Sequence, residues 1–173
     1  MKKVVLFTVV ALLVTATGFA QKGEGFKFSA GAELGIASGE FSQAYSLGLG
    51  ASAQVEIPLQ DKLSVVAYGG ILLYKGRPFS VASDIKLGSV IPVRVGVKYF
   101  LIDGLYGAFQ TGLAFYNTYK LDNTPYAGAG FSFSPQAGYE FKTKSGKALD
   151  ASVKYEVYSA ALSALGFRLA YIF

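Results

Sequence analysis

Nine charged residues lie inside apolar stretches of this chain, where a charge is costly unless a partner answers it: Glu33, Glu56, Arg94, Lys98, Glu140, Asp150, Lys154, Glu156 and Arg168. Lys27 shares their setting. Together they are five cations and five anions, a balance that suits mutual pairing in an enclosed space. Acids and bases arranged this way can do one of two things. They can neutralise and fill a dry interior as a structural network, or they can line an ion path with a switchable gate. Arg94, Lys154, Arg168 and Glu33 are expected near the middle of that interior. Lys98, Glu56, Glu140 and Asp150 are expected nearer the end that holds the chain termini.

Other chemistry is excluded by composition. There is no histidine and no cysteine, which removes Ser-His-Asp and Cys-His catalysis, the usual zinc ligands and histidine-ligated haem. No catalytic, cofactor or metal residue is expected, and no cofactor. Gly48-Leu49-Gly50-Ala51-Ser52-Ala53 fits a dinucleotide pattern on paper, but no helix follows it. No run of Lys or Arg occurs, so nucleic acid is not an expected partner. A second candidate contact is Lys75-Gly76-Arg77-Pro78-Phe79. Lys75 and Arg77 could meet lipopolysaccharide phosphates with Phe79 as an apolar contact, or the segment could be a plain solvated loop.

The elements that must position the charges are strands. In 90–101, Ile91, Val93, Val95, Val97 and Tyr99 share one parity, while Arg94, Gly96 and Lys98 share the other. Side chains alternate along a strand with period two, so such a stretch has one apolar and one polar face. Eight stretches follow this rule or do not contradict it: 25–37, 45–57, 63–74, 90–101, 105–116, 127–141, 148–158 and 164–173. The faces of 63–74 and 106–116 are ambiguous, because both parities are apolar. Pro135 lies within a strand and cannot donate to a ladder, which predicts a bulge or irregularity. Short turns at Pro58–Lys62, 102–104 and 142–147 alternate with connections at 38–44, 75–89, 117–126 and 159–163. The fold class is therefore all-β, an eight-stranded antiparallel up-and-down barrel, and a transmembrane β-barrel if its apolar face is the outer one.

Residues 1–20 read as a signal peptide: Lys2 and Lys3, an apolar core from Val4 to Ala16, and Gly18-Phe19-Ala20 as the cleavage site. The barrel domain is then 21–173. Its charge falls from +5 to +3, with 14 basic against 11 acidic residues once the two lysines are gone. Charged residues are 16% of the chain, against about 25% in an ordinary soluble domain. No later apolar run approaches the ~20 residues of a membrane helix.

Alternation alone does not say which face is outside, because a soluble ligand-binding calyx alternates too, with the apolar face inward. Glycine crowds the polar parity, at Gly31, Gly35, Gly48, Gly50, Gly96, Gly112 and Gly138 among others. Small residues belong in the narrow interior of an eight-stranded barrel. Tyr45, Phe100, Tyr116, Tyr126, Tyr139, Phe141, Tyr155 and Phe173 fall near strand ends, where interfacial girdles sit. Lipid outside is the reading.

Phe167, Leu169, Tyr171 and Phe173 share one parity and end the chain on phenylalanine. With PVRVGVKYF (92–100), FSFSPQAGYEF (131–141), SVKYEVY (152–158) and LGFRLAYIF (165–173), they give a resemblance to small OmpA/OmpX-like proteins of the outer membrane protein beta-barrel domain family. That resemblance implies bacterial outer-membrane localisation, contact with membrane lipid and lipopolysaccharide, and insertion by the barrel-assembly machinery through the C-terminal signature. It implies architecture rather than activity. The expected function is a non-enzymatic, structural or surface-binding barrel with a plugged lumen. A narrow pore or small-solute transporter, and a secreted lipocalin-like binder of apolar ligands, stand as alternatives.

Overall fold

The computed structural model describes residues 25–80, 83–84, 86–119, 124–143 and 147–173; the expected signal segment lies outside them. Ten strands and one short helix follow in chain order: β1 (Lys27–Ser38), α1 (Phe41–Ala44), β2 (Tyr45–Gln60), β3 (Leu63–Gly76), β4 (Pro78–Ser80), β5 (Ser83–Asp84), β6 (Gly88–Phe100), β7 (Leu105–Tyr119), β8 (Pro125–Lys142), β9 (Ala148–Ser159) and β10 (Leu162–Ile172). Eight of them close a barrel in the order β1-β10-β9-β8-β7-β6-β3-β2, every neighbour antiparallel. All eight expected strands are present. An even number of up-and-down strands returns both chain ends to one rim, where Phe173 N donates to Phe28 O (2.9 Å).

Closure settles the two faces. Leu49, Ile71, Val93, Val95, Phe109, Leu113, Phe131, Phe167 and Leu169 are exposed on the outer wall, while the charged parity is buried within. An apolar wall around a charged lumen is the inverse of a soluble calyx, so the lipocalin-like alternative is overturned by the direction in which the side chains point. The ambiguous strands resolve the same way: Tyr68, Leu72, Tyr74, Tyr106 and Gln110 point inward.

Part of the lumenal glycine is explained by these tyrosines. Gly35 and Gly48 are register partners, and a Cβ on either would stand 2.3 to 2.6 Å from the Tyr74 ring or its hydroxyl. A Cβ on Gly138 would likewise meet the Tyr106 hydroxyl at 2.4 Å. An aromatic ring lying over a glycine covers the bare backbone and fixes the register.

Several expectations need correction. β2 runs through Pro58 to Gln60 with an irregular register, so the turn is Asp61-Lys62 rather than Pro58–Lys62. The connection 38–44 holds α1, entered through Gly39 at φ +57, and 75–89 holds the β4–β5 hairpin. At Pro135 the register does not shift. The β9 ladder passes from Phe133↔Val157 to Gln136↔Lys154 and omits the pairs between, as expected where a strand lacks an N–H. Tyr45 is 1% exposed and packs inside against Phe41; Phe100 and Tyr116 also take the lumenal parity. These three are not girdle residues: Phe100 and Tyr116 lie on the even parity that closure turns inward, and Tyr45, though odd, is brought inside by the register irregularity between Tyr45 and Gly48. Tyr139, Phe141, Tyr155 and Phe173 do face outward.

Candidate functional site

The nine expected charges are joined in one connected series of ion pairs through the barrel. Arg94 on β6 donates from Nη1 to Glu156 Oε1 on β9 (2.9 Å), which also receives Lys154 (3.2 Å). Lys154 reaches Glu33 Oε2 on β1 (3.0 Å). Glu33 Oε1 lies 3.5 Å from Arg168 Nε on β10, its register partner across the closing seam. Arg168 continues to Asp150 (3.4 Å), and Asp150 to Lys98 (3.8 Å). Lys98 then gathers Glu56 (2.9 Å) and Glu140. Arg94, Lys154, Arg168 and Glu33 form the middle tier; Lys98, Glu56 and Glu140 stand toward the rim of the termini, where Lys27 approaches the Phe100 ring (6.0 Å).

Neutral partners extend the network, and these the charge pattern did not reveal. Tyr68 donates to Glu33 and accepts from Lys154, both at 3.0 Å. Tyr158 donates to Glu156 (2.7 Å) and Tyr106 to Asp150 (2.7 Å). Ser52 and Ser29 accept from Arg168 (3.0 and 2.9 Å), and Ser132 from Arg94 (2.8 Å). Gln110 spans the lumen to Gln54 (3.2 Å). The Arg94 guanidinium also sits 5.6 Å from both the Tyr68 and Tyr158 ring centres, a cation–π arrangement. All of these share the parity of the charges, and that was the available signal.

Above the network, at the loop end, the interior becomes apolar. Leu72, Tyr74, Val90, Ala114, Tyr158 and Leu162 pack together, and Phe41 of α1 drops onto Tyr45 and Tyr74 with ring centres 4.9 Å apart. The lumen thus carries the buried charge network below an aromatic cluster. Among the described residues no group of three or more acidic, histidine or cysteine side chains is arranged to hold a metal ion.

The other expected sites are placed as follows. Lys75 is exposed at the end of β3. Arg77 is tied to the rim, its N–H donating to Ala44 O (2.8 Å) and its Nε to Tyr45 O (3.2 Å). Phe79 lies on β4. Phe167, Leu169 and Tyr171 on β10 and Phe173 directly after it form an outward column, with Phe173 against Tyr171 (5.1 Å) and Phe28 (5.8 Å).

Solved structures with this architecture were found by comparison of folds. Neisserial surface protein A matches with a TM-score of 0.61 at 13% identity, covering 87% of this chain and 98% of that one. The fold is that of the small OmpA/OmpX-like outer-membrane barrels. Ail, the attachment invasion locus protein of Yersinia pestis, solved with the heparin analogue sucrose octasulfate, matches this barrel at 0.56 and 17% identity, over 86% and 97% of the two chains. The N-terminal barrel domain of Pseudomonas aeruginosa OprF matches at 0.52 and 13%, over 88% and 100%. No family model and no curated protein matches the sequence.

Proposed function

We propose that this protein is a non-enzymatic integral barrel of a bacterial outer membrane, closed to ions and solutes, whose loop end serves as a binding surface. The observation that carries this reading is the connected series of nine buried charges beneath the Phe41 lid. Eight strands enclose a space just wide enough for side chains, and paired buried charges fill it without leaving a mobile aqueous column. The shared fold with Ail, an attachment protein by name, makes surface binding compatible with this architecture.

In this reading residues 1–20 are removed near Ala20 on export. The column Phe167, Leu169, Tyr171 and Phe173 engages the barrel-assembly machinery. Lys75 and Arg77, with Phe79, contact lipopolysaccharide. Planar-bilayer recording tests the closed lumen: purified protein is expected to give no stepwise conductance. Reproducible ion steps would favour the narrow-pore reading instead. Fractionation with heated and unheated gel samples tests placement, with an outer-membrane location and a heat-dependent mobility shift as the expected result.

A further inference from the structure

The response of a protein to oxidants depends on which of its side chains give up an electron most easily. This chain has no cysteine, no histidine and no tryptophan, and its one methionine is Met1. Thiols and thioethers, the usual first targets of biological oxidants, therefore do not occur after residue 1. The readily oxidised groups that remain are the twelve tyrosines. Among the described residues two pairs of tyrosine rings touch, and they differ in kind. Tyr74 and Tyr158 meet hydroxyl to hydroxyl (3.0 Å) with their rings edge-on at 69°. Both are wholly buried in the cluster under Phe41. Tyr116 on β7 and Tyr126 on β8 instead stack, with ring centres 5.3 Å apart and planes 23° from parallel. Tyr126 is 36% exposed, and Tyr116 is half-buried beside it at the loop end.

The hairpin holds the second pair in place from both strands. Tyr116 is the register partner of Gly128, and a Cβ there would stand 3.0 Å from the Tyr116 hydroxyl. The ring therefore lies over bare backbone and reaches toward Tyr126. One step further out Thr118 faces Tyr126, and its Oγ1 donates to Tyr126 O (3.0 Å). The Tyr116 and Tyr126 hydroxyls are hydrogen-bonded to each other. Stacked rings at this separation are in contact, and with the hydroxyls joined, the carbons flanking the two oxygens are the ones brought together.

We propose that Tyr116 and Tyr126 are an oxidative cross-linking site, joined to each other by hydrogen peroxide acting through a haem peroxidase. Each phenol gives one electron to the oxidant, loses its hydroxyl proton and becomes a phenoxyl radical. The two radicals couple at the ring carbons that flank the oxygens, forming a single Cε–Cε bond. Each of these carbons then gives up its hydrogen as a proton while its oxygen takes one up, restoring both aromatic rings and both hydroxyls. In balance the protein loses two hydrogen atoms, and one hydrogen peroxide becomes two waters. The bond closes the tip of the β7–β8 hairpin between positions 116 and 126. It constrains that segment as a disulfide would, in a chain with no cysteine to form one.

The test uses the full chain in lipid nanodiscs holding one barrel each, treated with hydrogen peroxide and a haem peroxidase. Trypsin cuts after Lys98, Lys120 and Lys142, so Tyr116 and Tyr126 fall on separate peptides, 99–120 and 121–142. After oxidation these two should leave joined, two hydrogens lighter than their sum and with the fluorescence of dityrosine. Fragmentation should place the bond at Tyr116 and Tyr126. Tyr116→Phe and Tyr126→Phe keep the rings and remove one hydroxyl, so either should abolish the joined peptide. Tyr119→Phe, on the same peptide as Tyr116, should leave it intact. The wild-type map alone identifies the bond, so the outcome does not depend on a variant folding. Absence of the joined peptide, while free tyrosine in the same mixture dimerises, would overturn the proposal. So would a bond at Tyr119, a joined peptide that persists in Tyr126→Phe, or links only between separate molecules.

Discussion

Glu33 and Arg168 face each other at the seam where the first strand meets the last, with Oε1 3.5 Å from Nε. The pair links the Lys154–Glu156 half of the network to the Asp150–Lys98 half. Ring closure and charge neutralisation therefore converge on one contact, and it is the place to break first.

Arg168→Met removes the one cation shared by Glu33 and Asp150, which keep Lys154 with Tyr68 and Lys98 with Tyr106, and leaves Ser29 and Ser52 without their donor. Removing one partner of a buried pair costs about 3–5 kcal/mol. Urea unfolding of the protein in phospholipid vesicles, followed by gel mobility, should show a loss of that size. Parental stability would mean that the network contributes little.

Arg94→Met should cost less, about 2 kcal/mol, the scale of a hydrogen bond to a charged group. Glu156 would retain Lys154 at 3.2 Å and the Tyr158 hydroxyl at 2.7 Å. The same unfolding assay checks the ranking. An Arg94 variant less stable than the Arg168 variant would contradict the connectivity described above.

Gly48→Val and Gly69→Val should differ sharply despite identical chemistry. The first drives a side chain into the Tyr74 ring, and overpacking of this kind costs about 1–3 kcal/mol. At Gly69 a Cβ meets nothing within 4 Å, so valine on the lipid wall is expected to be neutral or stabilising. Equal effects at both sites would show that the tyrosine-over-glycine contact does not hold the register.

Deleting Phe173 removes its N–H bond to Phe28 O and its ring contacts with Phe28 and Tyr171. These lie at the rim and involve one hydrogen bond and two ring contacts, so unfolding should change little. Insertion by purified assembly machinery into proteoliposomes should slow several-fold. A loss of stability with an unchanged insertion rate would make Phe173 a structural residue and not an assembly signal.

Much of this was legible in the chain because a strand has a strict two-residue period. Once Arg94 and Lys98 oppose Val93, Val95 and Val97, every charge in the eight stretches is assigned to one surface before any coordinates exist. Closure of eight strands then makes β1 and β10 neighbours, which brings Glu33 near Arg168. Periodicity carried no information for Tyr106–Tyr116 and Leu63–Tyr74, where both faces are apolar. Nor did it separate Tyr45, Phe100 and Tyr116 from true girdle residues, since position near a strand end is not orientation.

By itself, then, the sequence determined the strand count, the two chemically distinct surfaces and the ring of neighbours, all consequences of local alternation and turn chemistry. The tertiary structure decided what depends on distances across the lumen and on unequal strand lengths. Lys98 collects Glu56, Glu140 and Asp150 because the barrel is narrow, not because they are sequence neighbours. Phe41 becomes a lid because Gly39 turns the chain over the mouth. β8 has no β9 partner at Ala127–Ala129 because β9 stops short of it, a relation between two strands that neither strand encodes alone.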